Sequence, residues 1–288
     1  MSIYSADDIP DHLLAYFTIN PEIGLEATLD EYVAQMVVVF REVRRVLRPD
    51  GTCWLNLGDS YAGSGRGGQS AEKRSVHWQP VYAKHGFVPD GLKAKDLCMV
   101  PARVALALQA DGWWLRQDII WNKPNPMPEP VTDRCVKAHE YVFLLSKSAH
   151  YFFDFEAIKE PNSPTSQMGG VYAKTGKYAN VGNGHSGLTA AGKVNVWQGR
   201  NRRSVWTITP KPYRAAHFAT MPPDLAEVCI LAGSKTGDTV LDPFNGSGTT
   251  GAVAVQNGRR YIGIELNPAY IALSHERIGK VQSSLFSA

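Results

Sequence analysis

The residues best suited to chemistry lie in Thr239-Val-Leu-Asp-Pro-Phe-Asn-Gly-Ser-Gly-Thr-Thr-Gly251. A short apolar run ends on Asp242 and passes through a glycine loop into a helical pattern. Gly246-x-Gly248-x-x-Gly251 matches the dinucleotide fingerprint, whose glycines let the backbone turn sharply and approach a ligand. Glu265 follows Gly246 by nineteen residues, at the end of the next apolar run, where a carboxylate can accept hydrogen bonds from ribose hydroxyls. A pyrophosphate at the helix start would meet the carboxylate of Asp242, an unfavourable pairing. A cofactor with a cationic amino-acid end suits the loop better. S-adenosylmethionine offers an ammonium for Asp242 and a ribose for Glu265. A nucleotide-phosphate loop of the Lys-Ser/Thr kind is excluded, because Ala252-Val253 follows Gly251.

Charge is the second signal. From Pro161 to Ala215 there is no Asp or Glu, while Lys174, Lys177, Lys193, Arg200, Arg202, Arg203, Lys211 and Arg214 all occur. A second basic, glycine-rich stretch runs from Gly63 to about Lys95. Such runs are either solvated loops or surfaces that meet a phosphate backbone. The absence of acids favours the second reading, with Lys174, Lys177, Arg200, Arg202 and Arg203 as expected DNA contacts.

Several elements must position these residues. Thr28-x-x-Glu31 is a capping box, and Leu29, Tyr32, Met36, Phe40, Val43 and Leu47 recur behind it at helical spacing. Arg48-Pro-Asp-Gly51 stops that helix, and Thr52–Leu57 reads as a buried strand ending in Gly58-Asp59-Ser60-Tyr61. Further helices are expected over Val100–Ala110, Pro222–Ala232 and Gly248–Asn257. Strands are expected over Trp113–Trp121, Glu140–Ser146, Thr239–Leu241 and Tyr261–Ile264. The alternation predicts an α/β chain with a parallel sheet.

Leu241-Asp-Pro-Phe-Asn-Gly-Ser-Gly-Thr-Thr250 and Tyr261-Ile-Gly-Ile-Glu-Leu-Asn-Pro268 resemble the cofactor motif of the DNA amino-methyltransferases. These act on the exocyclic N6 of adenine or N4 of cytosine. Phe40–Leu57, Trp121-Asn-Lys-Pro-Asn-Pro126, His139-Glu-Tyr-Val-Phe143 and Ala216–Pro222 resemble further segments of that family. The cofactor motif lies near the C-terminus, so the resemblance implies the circularly permuted, beta-type arrangement of a Rossmann-like methyltransferase sheet. It implies a catalytic domain over 1–160 and 205–288, with a basic target-recognition insert over 161–204. It also implies that S-adenosylmethionine meets Asp242, Pro243, Phe244, Asn245, Gly246, Ser247, Gly248, Thr249, Thr250, Glu265 and Asn267, with His217 and Phe218 closing over it. Double-stranded DNA is the implied partner, a second copy of the chain is a candidate one, and family base rates tilt slightly to adenine.

The family's signature Asp/Asn/Ser-Pro-Pro-aromatic occurs nowhere in the sequence. Its work is to take hydrogen bonds from the amino group of a flipped base and to stack on the ring. Asn20-Pro21 is one substitute by position, without an aromatic. Asp59 and Tyr61 are another by chemistry and are the expected catalytic residues. A third reading is a remnant that holds cofactor and DNA without turnover. Composition is compatible with all three: 288 residues, 44% apolar, 20% charged and net +3 allow a large core. No apolar run is long enough for a membrane span and no secretory signal is visible. Cys53, Cys98, Cys135 and Cys229 are too dispersed for zinc or a disulfide framework, so no metal is expected and a reducing cytoplasm fits.

Overall fold

The computed structural model describes residues 2–4, 23–24, 26, 28–63, 88–161, 199–211 and 221–286. Seven strands and five helices follow in chain order among them: β1 Ser2–Tyr4, α1 Leu29–Val46, β2 Thr52–Leu57, α2 Val100–Ala110, β3 Trp114–Asn122, β4 His139–Ser146, β5 Val205–Thr207, α3 Pro223–Gly233, β6 Thr239–Asp242, α4 Thr249–Gln256, β7 Arg260–Ile264 and α5 Pro268–Phe286. The chain divides into one unit of Met1–Phe153 with Ser204–Ala288 and a second of Asp154–Arg203.

α1 forms where its sequence says it should. Thr28 Oγ1 accepts from Glu31 N at 3.1 Å, and Glu31 Oε2 accepts from Thr28 N at 3.0 Å, closing the capping box. Its buried stripe of Leu29, Tyr32, Met36 and Phe40 packs with Leu55, Val104, Leu108, Phe143 and Leu145 in a core shared by α1, α2, β2 and β4. A second core joins Ala226, Ile230, Val253, Tyr261 and Ile278 from α3, α4, β7 and α5.

The strands form two sheets. β6 and β7 pair in parallel, Asp242 opposite Gly263, and β1 joins the far side of β7 in parallel. The other sheet has the order β2-β4-β3-β5, with β4 antiparallel to both β2 and β3 and only β3–β5 parallel. This corrects the expectation of a parallel sheet throughout. Residues 123–138 between β3 and β4 form no crossover helix, and the chain doubles back and pairs antiparallel.

α1 fixes the direction of β2 relative to β6. Arg48, just after α1, has its Nη1 4.0 Å from Asp238 Oδ1 at the start of β6. Phe40, two turns earlier, has its ring 6.2 Å from that of Phe244 just past the end of β6. The helix therefore runs antiparallel to β6. After the turn at Arg48–Gly51 the chain reverses, so Gly58 and Asp59 emerge at the same edge as Asp242 and Glu265. Ligands of α/β sheets collect at that edge.

Candidate cofactor and base site

β6 delivers Asp242 to the sheet edge, and the loop after it is held by its own polar groups. Asp242 Oδ1 accepts from Phe244 N at 2.9 Å, and Thr250 donates its hydroxyl to the same carboxylate. Burial nonetheless pushes the Asp242 carboxyl above its ordinary range, against the pull of those two hydrogen bonds. Glu265 is clamped twice: Oε2 accepts from Gly246 N at 2.7 Å and Oε1 from Asn267 N at 2.9 Å. Asn245 is buried, and its Oδ1 accepts from Tyr261 Oη at 2.6 Å and from Ser274 Oγ at 3.3 Å. Arg277 Nη1 reaches Thr249 Oγ1 at 2.7 Å and Ser247 Oγ at 3.3 Å.

Two glycines are needed here on steric grounds. Gly248 adopts φ +77°, and a Cβ there would lie 2.3 Å from Ser274 Oγ. A Cβ on Gly251 would lie 2.5 Å from both Ile278 Cδ1 and Tyr261 Cε1, so only glycine lets α4 close onto β7 and α5.

The loop thus sorts its expected residues. Asp242, Pro243 and Gly246 stand at the sheet edge, and Phe244 is 44% exposed. Asn245, Ser247, Gly248 and Thr249 are buried and build the loop. Asn267 Oδ1 accepts from Ala269 N at 3.0 Å and so caps α5. The supporting Tyr261, Ser274 and Arg277 were not anticipated. Tyr261 lies on β7, while Ser274 and Arg277 lie on α5, where Ser274 and Ile278 recur four apart. His217 and Phe218 lie outside the described residues, as do Lys174, Lys177 and Asn20. The donor set fits S-adenosylmethionine: a carboxylate at the strand end, a glycine turn and a second carboxylate at the next strand end.

At the ends of β2 and β3 lies a cavity of about 240 Å³, lined by Gly58, Asp59, Lys123, Lys137, His139 and Glu140 with the segment 126–129. Its charges are mostly paired. Glu140 bonds Lys123 through Oε1 and accepts from Asn56 Nδ2 at 3.1 Å through Oε2. Glu129 pairs with Arg134 at 2.7 Å. Asp59 Oδ1 accepts from Ser60 N at 2.9 Å and from Val100 N at 3.0 Å, which caps α2 across the chain. Lys123 Nζ also sits 4.4 Å from the centre of the Trp121 ring. Of the two residues expected to be catalytic, Asp59 lines this cavity. Tyr61 is not in its lining; the Arg134 guanidinium covers its ring at 3.9 Å, and its backbone bridges Leu97.

In the second unit Glu160 gathers the expected DNA-contact arginines. Its Oε2 lies 3.1 Å from both Arg200 Nε and Arg203 Nε, while Arg202 Nε donates to the Ile158 carbonyl at 3.1 Å. Against the cost of burial, the hydrogen bonds from Arg203 and Arg200 hold the Glu160 carboxyl below its ordinary range.

A mixed α/β sheet with a glycine loop between two strand-end carboxylates defines the class, a Rossmann-like nucleoside-cofactor fold. Within that class the chain belongs to the N6/N4 DNA methylase family, whose family model matches residues 15–276. It is similar to the type II methyltransferase M.Cfr9I of Citrobacter freundii, 42% identical over 262 residues, covering 91% of this chain and 76% of the relative. It is similar also to M.SmaI of Serratia marcescens, 44% identical over 261 residues, covering 89% and 77%. Among solved structures, PvuII DNA methyltransferase (cytosine-N4-specific) aligns with a TM-score of 0.57 at 20% identity, covering 88% of this chain and 76% of that one. The Thermus thermophilus protein TTHA0409, complexed with S-adenosyl-L-methionine, aligns with a TM-score of 0.52 at 24% identity, covering 88% and 78%. The chain is therefore a DNA methyltransferase, and its cofactor is S-adenosyl-L-methionine. No helix among the described residues is long and apolar enough to cross a membrane.

Proposed function

We propose that the protein methylates the exocyclic amino group of adenine or cytosine at a defined sequence in duplex DNA, after flipping the base out of the helix. The observation that carries this reading is the shared sheet edge: the glycine loop with its two carboxylates and the cavity beside Asp59 both open there. In this reading Asp242 attracts the cofactor's ammonium and Glu265 accepts from its ribose hydroxyls. When bound, the cofactor supplies a methyl group activated by a sulfonium. The chain's own residues would hold the base's amino nitrogen toward that methyl group, and the nitrogen's proton would pass to water. Such a reaction needs the nitrogen lone pair aimed at the methyl carbon more than it needs a strong base. Asp59 is assigned to accept from the amino group, and Tyr61 to stack on the base once Arg134 moves aside. Work in a restriction–modification pair inside the cell suits the type II relatives.

The second reading is a remnant that binds cofactor and DNA without turnover, favoured by the missing Pro-Pro-aromatic signature. Transfer of labelled methyl groups from S-adenosylmethionine to duplex DNA separates the two. Incorporation with an intact cofactor site supports the enzyme. Cofactor binding without incorporation leaves the remnant.

A further inference from the structure

Lys137 is the ammonium of the cavity that no hydrogen-bond acceptor meets among the described residues. Its Nζ is shielded from solvent and has no hydrogen-bond partner among the described residues. The neighbouring charges are otherwise engaged: Lys123 with Glu140, Arg134 with Glu129, and Asp59 with two backbone N–H groups. Burial lowers the Lys137 pKa, although Asp59, Glu140 and Glu129 pull it upward and Lys123 adds to the lowering. An unpaired buried donor is costly, and an acceptor arriving with a ligand removes that cost.

The lining limits what the acceptor can be. Asp59, Glu129 and Glu140 share the space with Lys123 and Lys137, so a phosphate would meet more carboxylates than ammoniums. A neutral ligand that carries a donor and an acceptor on one edge fits instead. A flipped base presents such an edge, and the cavity of about 240 Å³ has room for one ring system. Of the two bases whose amino groups this family methylates, cytosine has a carbonyl oxygen, O2, beyond its ring nitrogen. Adenine has a C–H at that place.

Resting on the reading that a base is flipped for methylation, we propose that Lys137 selects cytosine, its ammonium donating to O2 while the N4 amino group turns toward Asp59. Adenine in the same place would leave the ammonium buried against a C–H. Sites built around a substrate's hydrogen bond reject an analogue lacking it by roughly 10⁴-fold.

The test uses duplex DNA amplified in vitro from a mixed-sequence pool, which carries no prior methylation. Labelled S-adenosylmethionine is added to the full-length protein under single-turnover conditions, and the DNA is digested to nucleosides for chromatography. Label is expected in N4-methyldeoxycytidine. Lys137→Met should slow that transfer at least a hundredfold with cofactor Kd changed less than twofold. Lys137→Gln and Lys137→Arg, which keep a donor, should recover at least tenfold of the loss. Label in N6-methyldeoxyadenosine overturns the cytosine assignment and leaves the methyltransferase reading standing. Equal rates for wild type and Lys137→Met overturn it as well. So does a Lys137→Met defect that flattens the salt dependence of DNA binding, since that marks a phosphate contact. A defect that Gln and Arg fail to relieve, with cofactor Kd unchanged, rejects the donor role. No label in either base, with cofactor still bound, removes the methyltransferase reading and this one with it.

Discussion

The two sheets meet the same edge with different arrangements of charge. In the β1-β7-β6 sheet the cofactor loop satisfies itself: Glu265 holds Gly246 and Asn267, Tyr261 and Ser274 hold Asn245, and Arg277 holds Thr249. In the β2-β4-β3-β5 sheet the cavity pairs most of its charges but leaves the Lys137 ammonium without a hydrogen-bond acceptor among the described residues. The first region is a finished cradle that a ligand enters. The second is an unfinished polar site that a ligand completes. Changes in the first should therefore alter cofactor affinity and stability, and changes in the second should alter which base reacts.

The sharpest test of that contrast is Asp242→Asn. Losing the charged partner of the cofactor's ammonium should raise the S-adenosylmethionine Kd about ten- to a hundredfold. Stability should move the other way at neutral pH. Burial raises the Asp242 pKa in the folded state, so the group's stabilising contribution is complete below its unfolded pKa and is lost as pH rises through the folded one. The neutral amide escapes that loss. Cofactor-free Asp242→Asn should melt no lower than wild type at pH 7, and calorimetry across pH 4–8 checks it. A lower melting temperature with unchanged Kd would make Asp242 structural and erase the contrast.

Gly251→Ala comes next. Its Cβ must displace Ile278 and Tyr261, an overpacking that costs about 1–3 kcal/mol. Urea denaturation should show the loss, with cofactor affinity falling as the loop shifts and the base product unchanged. A change of product base would mean that the two regions are mechanically one.

Smaller effects belong to the second unit. Glu160→Gln should release Arg200 and Arg203, raising DNA affinity a few-fold and steepening its log–log salt slope by up to about 0.9 per new phosphate contact. Neutralising Arg200, Arg202 and Arg203 together should flatten that slope. Fluorescence anisotropy at several salt concentrations reads both, and no change in either makes the cluster a local clasp. The smallest signal is thiol chemistry. Burial and the nearby Asp242 charge push the Cys53 thiol up to about 12, while Cys135 is exposed. Alkylation at pH 8 followed by mass spectrometry should modify Cys135 well before Cys53.

The cofactor loop was legible because its parts are contiguous. Strand, glycine turn, helix and the next strand-end acid lie within 27 residues, Thr239 to Glu265, and each carries a local signal. α1 was legible for the same reason, through its capping box and apolar stripe. The sheet order was not. Pairing of β4 between β2 and β3 depends on residues far apart in the chain, such as Leu57 opposite Tyr141, and alternation of elements says nothing of it. β5 is three residues long, too short to show a period. Tyr61 has the right chemistry for stacking, but Arg134, far along the chain, covers its ring, and no spacing rule announces that contact. Lys137 could not be singled out from sequence either, because what distinguishes it is a missing acceptor.

The clamp on Glu265 has a consequence for temperature. With both carboxylate oxygens already fixed by the N–H groups of Gly246 and Asn267, docking of the ribose freezes no further torsion of that side chain. The entropy of ordering it was lost when the chain folded. Titration calorimetry should therefore find little conformational penalty in cofactor binding. Glu265→Asp, too short to reach both amides, should make the same event less favourable in entropy even where a carboxylate still meets the ribose.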